Sequence, residues 1–106
     1  MDNEFKNKVA VITGAGRGIG RAIAMQMAEK GAKVVVNDYG SGPDGSGASS
    51  VYAEEVTEEI RRAGGEAVSN GDTVATEVGG TRIIDTAVET FGRVDILVNN
   101  AGIVMD

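Results

Sequence analysis

Residues 9–20 read Val9-Ala10-Val11-Ile12-Thr13-Gly14-Ala15-Gly16-Arg17-Gly18-Ile19-Gly20. Four apolar residues run without alternation towards a glycine, the pattern of a strand buried on both faces, as strands of parallel sheets are. From Gly18 to Lys30 the apolar residues Ile19, Ala22, Ile23 and Met27 recur at helical spacing, and Gly31 supplies the left-handed residue that commonly ends a helix. A buried strand, a glycine-rich turn and a helix therefore follow one another directly.

The rest of the chain repeats the alternation. Lys33-Val34-Val35-Val36 reads as a second buried strand, reaching Asn37-Asp38. Tyr39 to Ser50 holds four Gly, four Ser and one Pro, which makes it a loop, long for a compact domain and expected to be mobile because it has little to bury. Tyr52, Ala53, Val56, Ile60 and Ala63 then form a helical stripe, with Glu58 and Arg62 spaced to pair and Gly64-Gly65 as the stop. Glu54, Glu55, Glu58 and Glu59 are most simply its solvated face. Glu66 to Ser69 reads as a third strand. Ile84, Ala87, Val88 and Phe91 mark a third helix ending at Gly92, whose start is expected to be loose because Gly79 and Gly80 each cost about 1 kcal/mol relative to Ala. Val94 to Val98 reads as a fourth strand, followed by Asn99-Asn100-Ala101-Gly102. Strands alternating with helices predict one α/β domain over residues 1–106, a Rossmann-type doubly wound parallel sheet in the order 3-2-1-4 with helices on both faces.

Composition narrows the chemistry. The 106 residues are 42% hydrophobic and 25% charged, which suits a folded core. A net charge of −6 argues against nucleic acid and anionic membrane surfaces as partners, since both are held by clustered Lys and Arg. With no Cys and no His there is no disulfide framework, thiolate nucleophile or imidazole base, and the usual zinc ligands are missing. Met1 to Lys8 is polar and mixed in charge, unlike a signal peptide, and no apolar run reaches membrane-spanning length. The expected location is cytoplasmic.

The glycines of residues 13–20 fall where a dinucleotide-binding fold needs them. Gly14 and Gly16 permit a tight turn and close approach of backbone to a pyrophosphate, Gly20 lets helix pack on strand, and the free N–H groups and dipole of the helix N-terminus attract phosphate. Asp38 ends the next strand 18 positions after Gly20, close to the roughly 20 expected for a carboxylate that accepts from the adenosine ribose. No Gly-Lys-Ser or Gly-Lys-Thr occurs, so this is not the loop of a P-loop nucleotide hydrolase. A methyltransferase with a similar glycine loop and strand-end acid stays open on these residues alone, although Asn99-Asn100-Ala101-Gly102 would then have no role.

Taken together, Thr-Gly-x-x-x-Gly-x-Gly at 13–20, the strand-end Asp38, Gly71-Asp72-Thr73-Val74 after the third strand and Asn-Asn-Ala-Gly after the fourth resemble the short-chain dehydrogenase/reductase family over almost the whole chain. The resemblance implies that Gly14, Gly16, Arg17, Gly18, Ile19 and Gly20 hold a pyrophosphate, Asp38 the adenosine ribose, Asp72 and Thr73 the adenine edge, and Asn100, Ala101 and Gly102 the cofactor ribose and sheet end. Each has a plainer rival: Asp38 as a strand terminus in solvent, Asp72 as a turn residue bonding its own backbone, Arg17 as a solvated side chain, and Asn99-Asn100 as amides tying loops to the sheet.

The family's catalytic Ser, its Tyr-x-x-x-Lys pair and a further helical Asn lie beyond the Asn-Asn-Ala-Gly motif, so no catalytic residue is assigned. Tyr39 and Tyr52 have Pro43 and Val56 four positions on, and neither recreates a Lys-activated Tyr. The chain reads as the cofactor-binding first half of a larger dehydrogenase fold, inactive alone. What the resemblance implies for the parent is hydride transfer between a nicotinamide cofactor and a small alcohol or ketone, with a non-catalytic NAD-binding module as the alternative. Val34 to Asp38, the Gly-rich insertion and Ile60-Arg61-Arg62-Ala63-Gly64-Gly65 look similar to the (3R)-hydroxyacyl-CoA dehydrogenase domains of multifunctional β-oxidation enzymes, which makes an acyl-CoA a candidate substrate. Asp38 favours NAD over NADP because it would repel a 2′-phosphate, while Arg17 is where this family often places a base that accompanies NADP. A homo-oligomer is expected for the parent, and if the chain ends at Asp106 the fourth strand becomes an edge, where Ile96-Leu97-Val98 is expected to promote self-association of the isolated chain.

Overall fold

The computed structural model describes residues 3–40 and 51–100, so residues 41–50 of the expected mobile loop, with Ala101 and Gly102 of the last motif, lie outside the described residues. The chain runs β1 (Val9–Ile12), α1 (Gly18–Glu29), β2 (Lys33–Asn37), α2 (Val51–Arg62), β3 (Glu66–Asn70), α3 (Glu77–Phe91) and β4 (Ile96–Val98). The four strands form one sheet in the order β3-β2-β1-β4 with every neighbouring pair parallel, the predicted topology.

Period-two alternation divides the core into two layers. Ala10, Ile12, Val34, Val36 and Ala67 point to one face, where they meet Ala24 of α1 with Ala53, Val56 and Ile60 of α2. Val9, Val11 and Val35 point to the other, where they meet Ile83 and Ala87 of α3. Parallel strands covered on both faces need continuous apolar runs, and β1 is buried at all four positions.

Several expectations are corrected by tertiary contacts. The face of α1 against the sheet is carried by Gly20 and Ala24, while Ile19 is 73% exposed. Small residues win there because the helix start must lie close to the strand end. The stripe of α3 holds at Ala87 and Phe91, but Ile83 rather than Ile84 is buried and Val88 is exposed. The start of α3 is not loose. Thr76 caps it by accepting from the Gly79 N–H at 2.9 Å, and Gly79 is buried so close to the Thr73 carbonyl that a Cβ would lie 1.9 Å from that oxygen. Glu58 pairs with Arg61 at 3.5 Å rather than with Arg62.

β3 runs one residue further than expected, because Asn70 pairs with Asn37. β4 starts two residues later than expected, at Ile96. Its ladder is extended backwards by a side chain, with the Asp95 N–H donating to the Val9 carbonyl at 2.9 Å and the Asp95 carboxylate accepting from the Val9 N–H at 2.8 Å. Arg93 donates to the same carboxylate at 2.7 Å, and this guanidinium together with the Val9 N–H holds the carboxyl of Asp95 below its ordinary value. A carboxyl lowered in the folded state contributes stability that is fully present above the unfolded value of about 3.9 and is lost as pH falls through the folded one. In an acid titration of stability, wild type and Asp95→Asn are therefore expected to differ by a constant amount well above the unfolded value of about 3.9 and to converge only as pH falls below it, through the lower value of the folded state. A gap that stays constant as pH falls well below about 3.9 would remove the charge of Asp95 from this role.

Candidate cofactor site

The carboxyl ends of β1, β2 and β3 bring the candidate residues to one end of the sheet. Thr13 leaves β1 with its N–H donating to the Val98 carbonyl of β4 at 3.0 Å, which brings the glycine turn over the β1 and β4 ends. In open α/β sheets, that switch in strand order is where ligands bind. The turn itself is fixed from two sides. The Ala15 N–H donates to the Asn37 carbonyl at 2.7 Å, and the Asn100 side-chain amide donates to the Gly14 carbonyl at 3.1 Å. Asn100 thus supports the loop, the plainer of its two expected roles.

Helix α1 begins without protection. Its N-cap residue is Arg17, no side chain caps it, and its first turn holds no acidic residue. By contrast, α3 has the Thr76 cap and Glu77 in its first turn. Uncapped N–H groups at a helix start carry partial positive charge and are suited to an anion. No side chain fits at two of its glycines: a Cβ on Gly16 would lie 2.5 Å from Cβ of Tyr52 and 2.7 Å from Asp38 Oδ2, and one on Gly20 would lie 2.2 Å from the Gly14 carbonyl oxygen.

Asp38 faces this turn and not the solvent. It is 4% exposed, and its Oδ2 accepts from the Gly16 N–H at 3.0 Å while its Oδ1 accepts from the Gly40 N–H at 2.8 Å. Arg17 adds an ion pair to Oδ1 at 3.3 Å and lays its guanidinium 4.3 Å from the centre of the Tyr52 ring. Neither residue is the bystander its plainer reading made it.

At the ends of β2 and β3 lies a polar cluster that the sequence reading missed. The Asn37 amide, on a residue 1% exposed, donates to Asn70 Oδ1 and to the Asp72 carbonyl, each at 2.9 Å. The Asn70 amide donates to Thr86 Oγ1 at 2.9 Å and Asp72 Oδ2 at 3.0 Å, and Asn70 Oδ1 also accepts from the Asp72 N–H at 2.8 Å. Asp72 does bond locally, as a turn residue does, yet it also reaches Arg82 of α3 at 3.9 Å. Thr73 accepts from the Ala75 N–H at 3.0 Å, shaping the approach to α3. Two asparagines ending adjacent strands in the Val36–Ser69 and Asn37–Asn70 register are the only sequence signal for this cluster.

A cleft of about 950 Å³ lies elsewhere, at the amino ends of the strands between Lys6, Lys30, Gly31 and residues 63–66. It contains none of these groups and sits at the wrong end of a parallel sheet for a ligand of this fold. No acidic cluster suited to a metal occurs among the described residues.

A parallel sheet in this order, with an uncapped glycine turn and a strand-end carboxylate, defines a Rossmann-type dinucleotide-binding domain. Residues 8–106 match the short chain dehydrogenase model, and the chain belongs to that family. It is 54% identical over 106 residues to peroxisomal multifunctional enzyme A of Dictyostelium discoideum, covering all of this chain and 23% of that protein. Among solved structures it is similar to a short chain dehydrogenase from Mycobacterium avium, with 55% identity and a TM-score of 0.85 over 96% of this chain and 36% of that one. A 7α-hydroxysteroid dehydrogenase solved with NADH and 7-oxo glycochenodeoxycholic acid matches at 38% identity and a TM-score of 0.79, over 92% of this chain and 35% of that one. The chain thus spans about a quarter to a third of the length of these relatives. No described helix is long and apolar enough to cross a membrane.

Proposed function

We propose that residues 1–106 form the cofactor-binding, amino-terminal part of an oxidoreductase that transfers hydride between NAD(H) and an alcohol or carbonyl substrate. The observation that carries this is the Asp38 carboxylate, held at the β2 end against the backbone of an uncapped glycine turn. A nicotinamide dinucleotide bound here would supply the hydride acceptor or donor. The chain's own residues hold it. The first-turn N–H groups of Gly18, Ile19 and Gly20 would bind the pyrophosphate beside the turn of Gly14 and Gly16, where Gly16 leaves room for Asp38 and Tyr52. Asp38 takes a hydrogen bond from the adenosine ribose, since two carboxylate oxygens offer about four acceptor positions and three are engaged by Gly16, Gly40 and Arg17. Asp72 and Thr73 border the adenine, and Asn100, Ala101 and Gly102 border the nicotinamide ribose.

The lean of the sequence towards hydroxyacyl-CoA dehydrogenase domains agrees with a relative named as a peroxisomal multifunctional enzyme, and supports a 3-hydroxyacyl-CoA as the substrate. A hydroxysteroid dehydrogenase among the structural matches supports a secondary alcohol more generally. A cytoplasmic location and a homo-oligomeric full chain belong to the same proposal; the Dictyostelium relative makes the peroxisome the competing address. The test is NAD reduction by the full chain with a 3-hydroxyacyl-CoA and a panel of unrelated secondary alcohols. Turnover of the thioester above the panel is expected. NAD binding without turnover of any alcohol would instead make this a non-catalytic NAD-binding module.

A further inference from the structure

Tyr52 has no role in the reading above, yet it sits where that reading needs a side chain placed. It stands in the first turn of α2, its Cβ 2.5 Å from where a Cβ of Gly16 would be, so it abuts the glycine turn directly. Its ring carries the Arg17 guanidinium at 4.3 Å, and that guanidinium pairs with Asp38 at 3.3 Å. Arg17 is 53% exposed in its side chain against 5% for Asp38. An Arg this open ordinarily samples many rotamers, and a surface ion pair alone holds it weakly. An aromatic face beneath the guanidinium supplies the second restraint, and the planar group is suited to stacking and pairing at once.

We infer that Tyr52 is a positioning residue that sets cofactor selectivity: it holds Arg17 at Asp38, so that the 2′ position of the adenosine ribose is read by a carboxylate and guanidinium together. This inference rests on the proposed binding of a nicotinamide dinucleotide. A lone Asp38 presents a full negative charge to a 2′-phosphate. With Arg17 stacked beside it, much of that charge is offset and the guanidinium can donate to the phosphate oxygens. The preference for NAD over NADP is thereby narrower than Asp38 alone would make it, and Tyr52 is what keeps it narrow.

The experiment measures dissociation constants for NAD and NADP with the full chain, in wild type, Tyr52→Leu, Tyr52→Phe, Arg17→Ala and the double variant Tyr52→Leu/Arg17→Ala. Tyr52→Leu is expected to weaken NADP relative to NAD by about two- to fivefold, the factor that one exposed cation–π contact supplies. Tyr52→Phe keeps the ring and is expected to keep the wild-type ratio. In the Arg17→Ala background the leucine substitution is expected to leave the ratio unchanged, because its effect runs through Arg17. A Tyr52→Leu protein in which both constants shift together, or in which the ratio still moves without Arg17, would overturn the inference. A wild type that binds neither dinucleotide overturns the functional reading itself, and this inference with it.

Discussion

Gly20→Ala is expected to lower the stability of the protein by about 1–3 kcal/mol, the usual range for forcing an added methyl into a close-packed site. The added Cβ would lie 2.2 Å from the Gly14 carbonyl oxygen, 2.6 Å from the Asn100 amide nitrogen and 2.9 Å from the Gly14 carbonyl carbon. Two of these are backbone atoms, and the third, the Asn100 amide, is held by its hydrogen bond to the Gly14 carbonyl. The Gly14 carbonyl is held by Asn100, and Gly14 itself sits in the left-handed region at φ 63°. Helix α1 would have to back away from β1, and Ala24, one turn on and fully buried, would lose its packing. The same retreat withdraws the first-turn N–H groups from the phosphates, and losing one charge-assisted hydrogen bond alone lowers dinucleotide affinity by roughly tenfold or more. Denaturant unfolding and NAD titration of the full chain check both effects. Unchanged values of both would mean that α1 does not approach β1 as closely as these distances require.

The close approach at Gly20 was legible in the sequence because one short stretch carries its own context, a buried strand before the glycines and a helix after them. The same holds for Asp38, whose place follows from the end of β2. What the sequence did not disclose depends on partners far along the chain. Asn37 reads as an ordinary strand-end residue until Asn70, thirty-three positions later, is beside it. Asp95 shortens β4 because its carboxylate takes the place of a strand carbonyl opposite Val9. Gly79 counted as a weakness of α3 under intrinsic propensity, whereas in the fold it is the residue that lets the helix meet the Thr73 carbonyl. Helix phase misled at the start of α1 for a related reason: bulk marks the apolar stripe in a sequence, but close packing on this sheet selects Gly20 and Ala24 over Ile19. Tyr52 reads only as part of the α2 stripe, and its stack on Arg17 could not be seen, since neither the distance between the two in sequence nor the residue type signals it.

Asp38→Ala is expected to have the second large effect, and it bears on cofactor choice. The carboxylate is 4% exposed and accepts from the Gly16 and Gly40 N–H groups, so its removal strands two backbone donors at about 1–3 kcal/mol each when they stay buried. That part of the cost weakens both cofactors alike. The part specific to NAD is the loss of an acceptor for the free 2′-hydroxyl, and the part specific to NADP is relief of repulsion between carboxylate and 2′-phosphate. Like charges a few ångströms apart repel by about 1 kcal/mol even in strongly screened surroundings. Both specific parts act on the ratio in the same direction, and Arg17, no longer neutralised, turns fully to the phosphate. The most direct measurement is therefore the pair of dissociation constants, NAD and NADP, for the full chain as wild type and as Asp38→Ala. The expected result is a wild type that binds NAD more tightly and a variant whose ratio moves towards NADP by about fivefold or more. Tighter NADP binding by the wild type, or a ratio that Asp38→Ala leaves where it was, would contradict the role of Asp38 as the residue that reads the adenosine ribose.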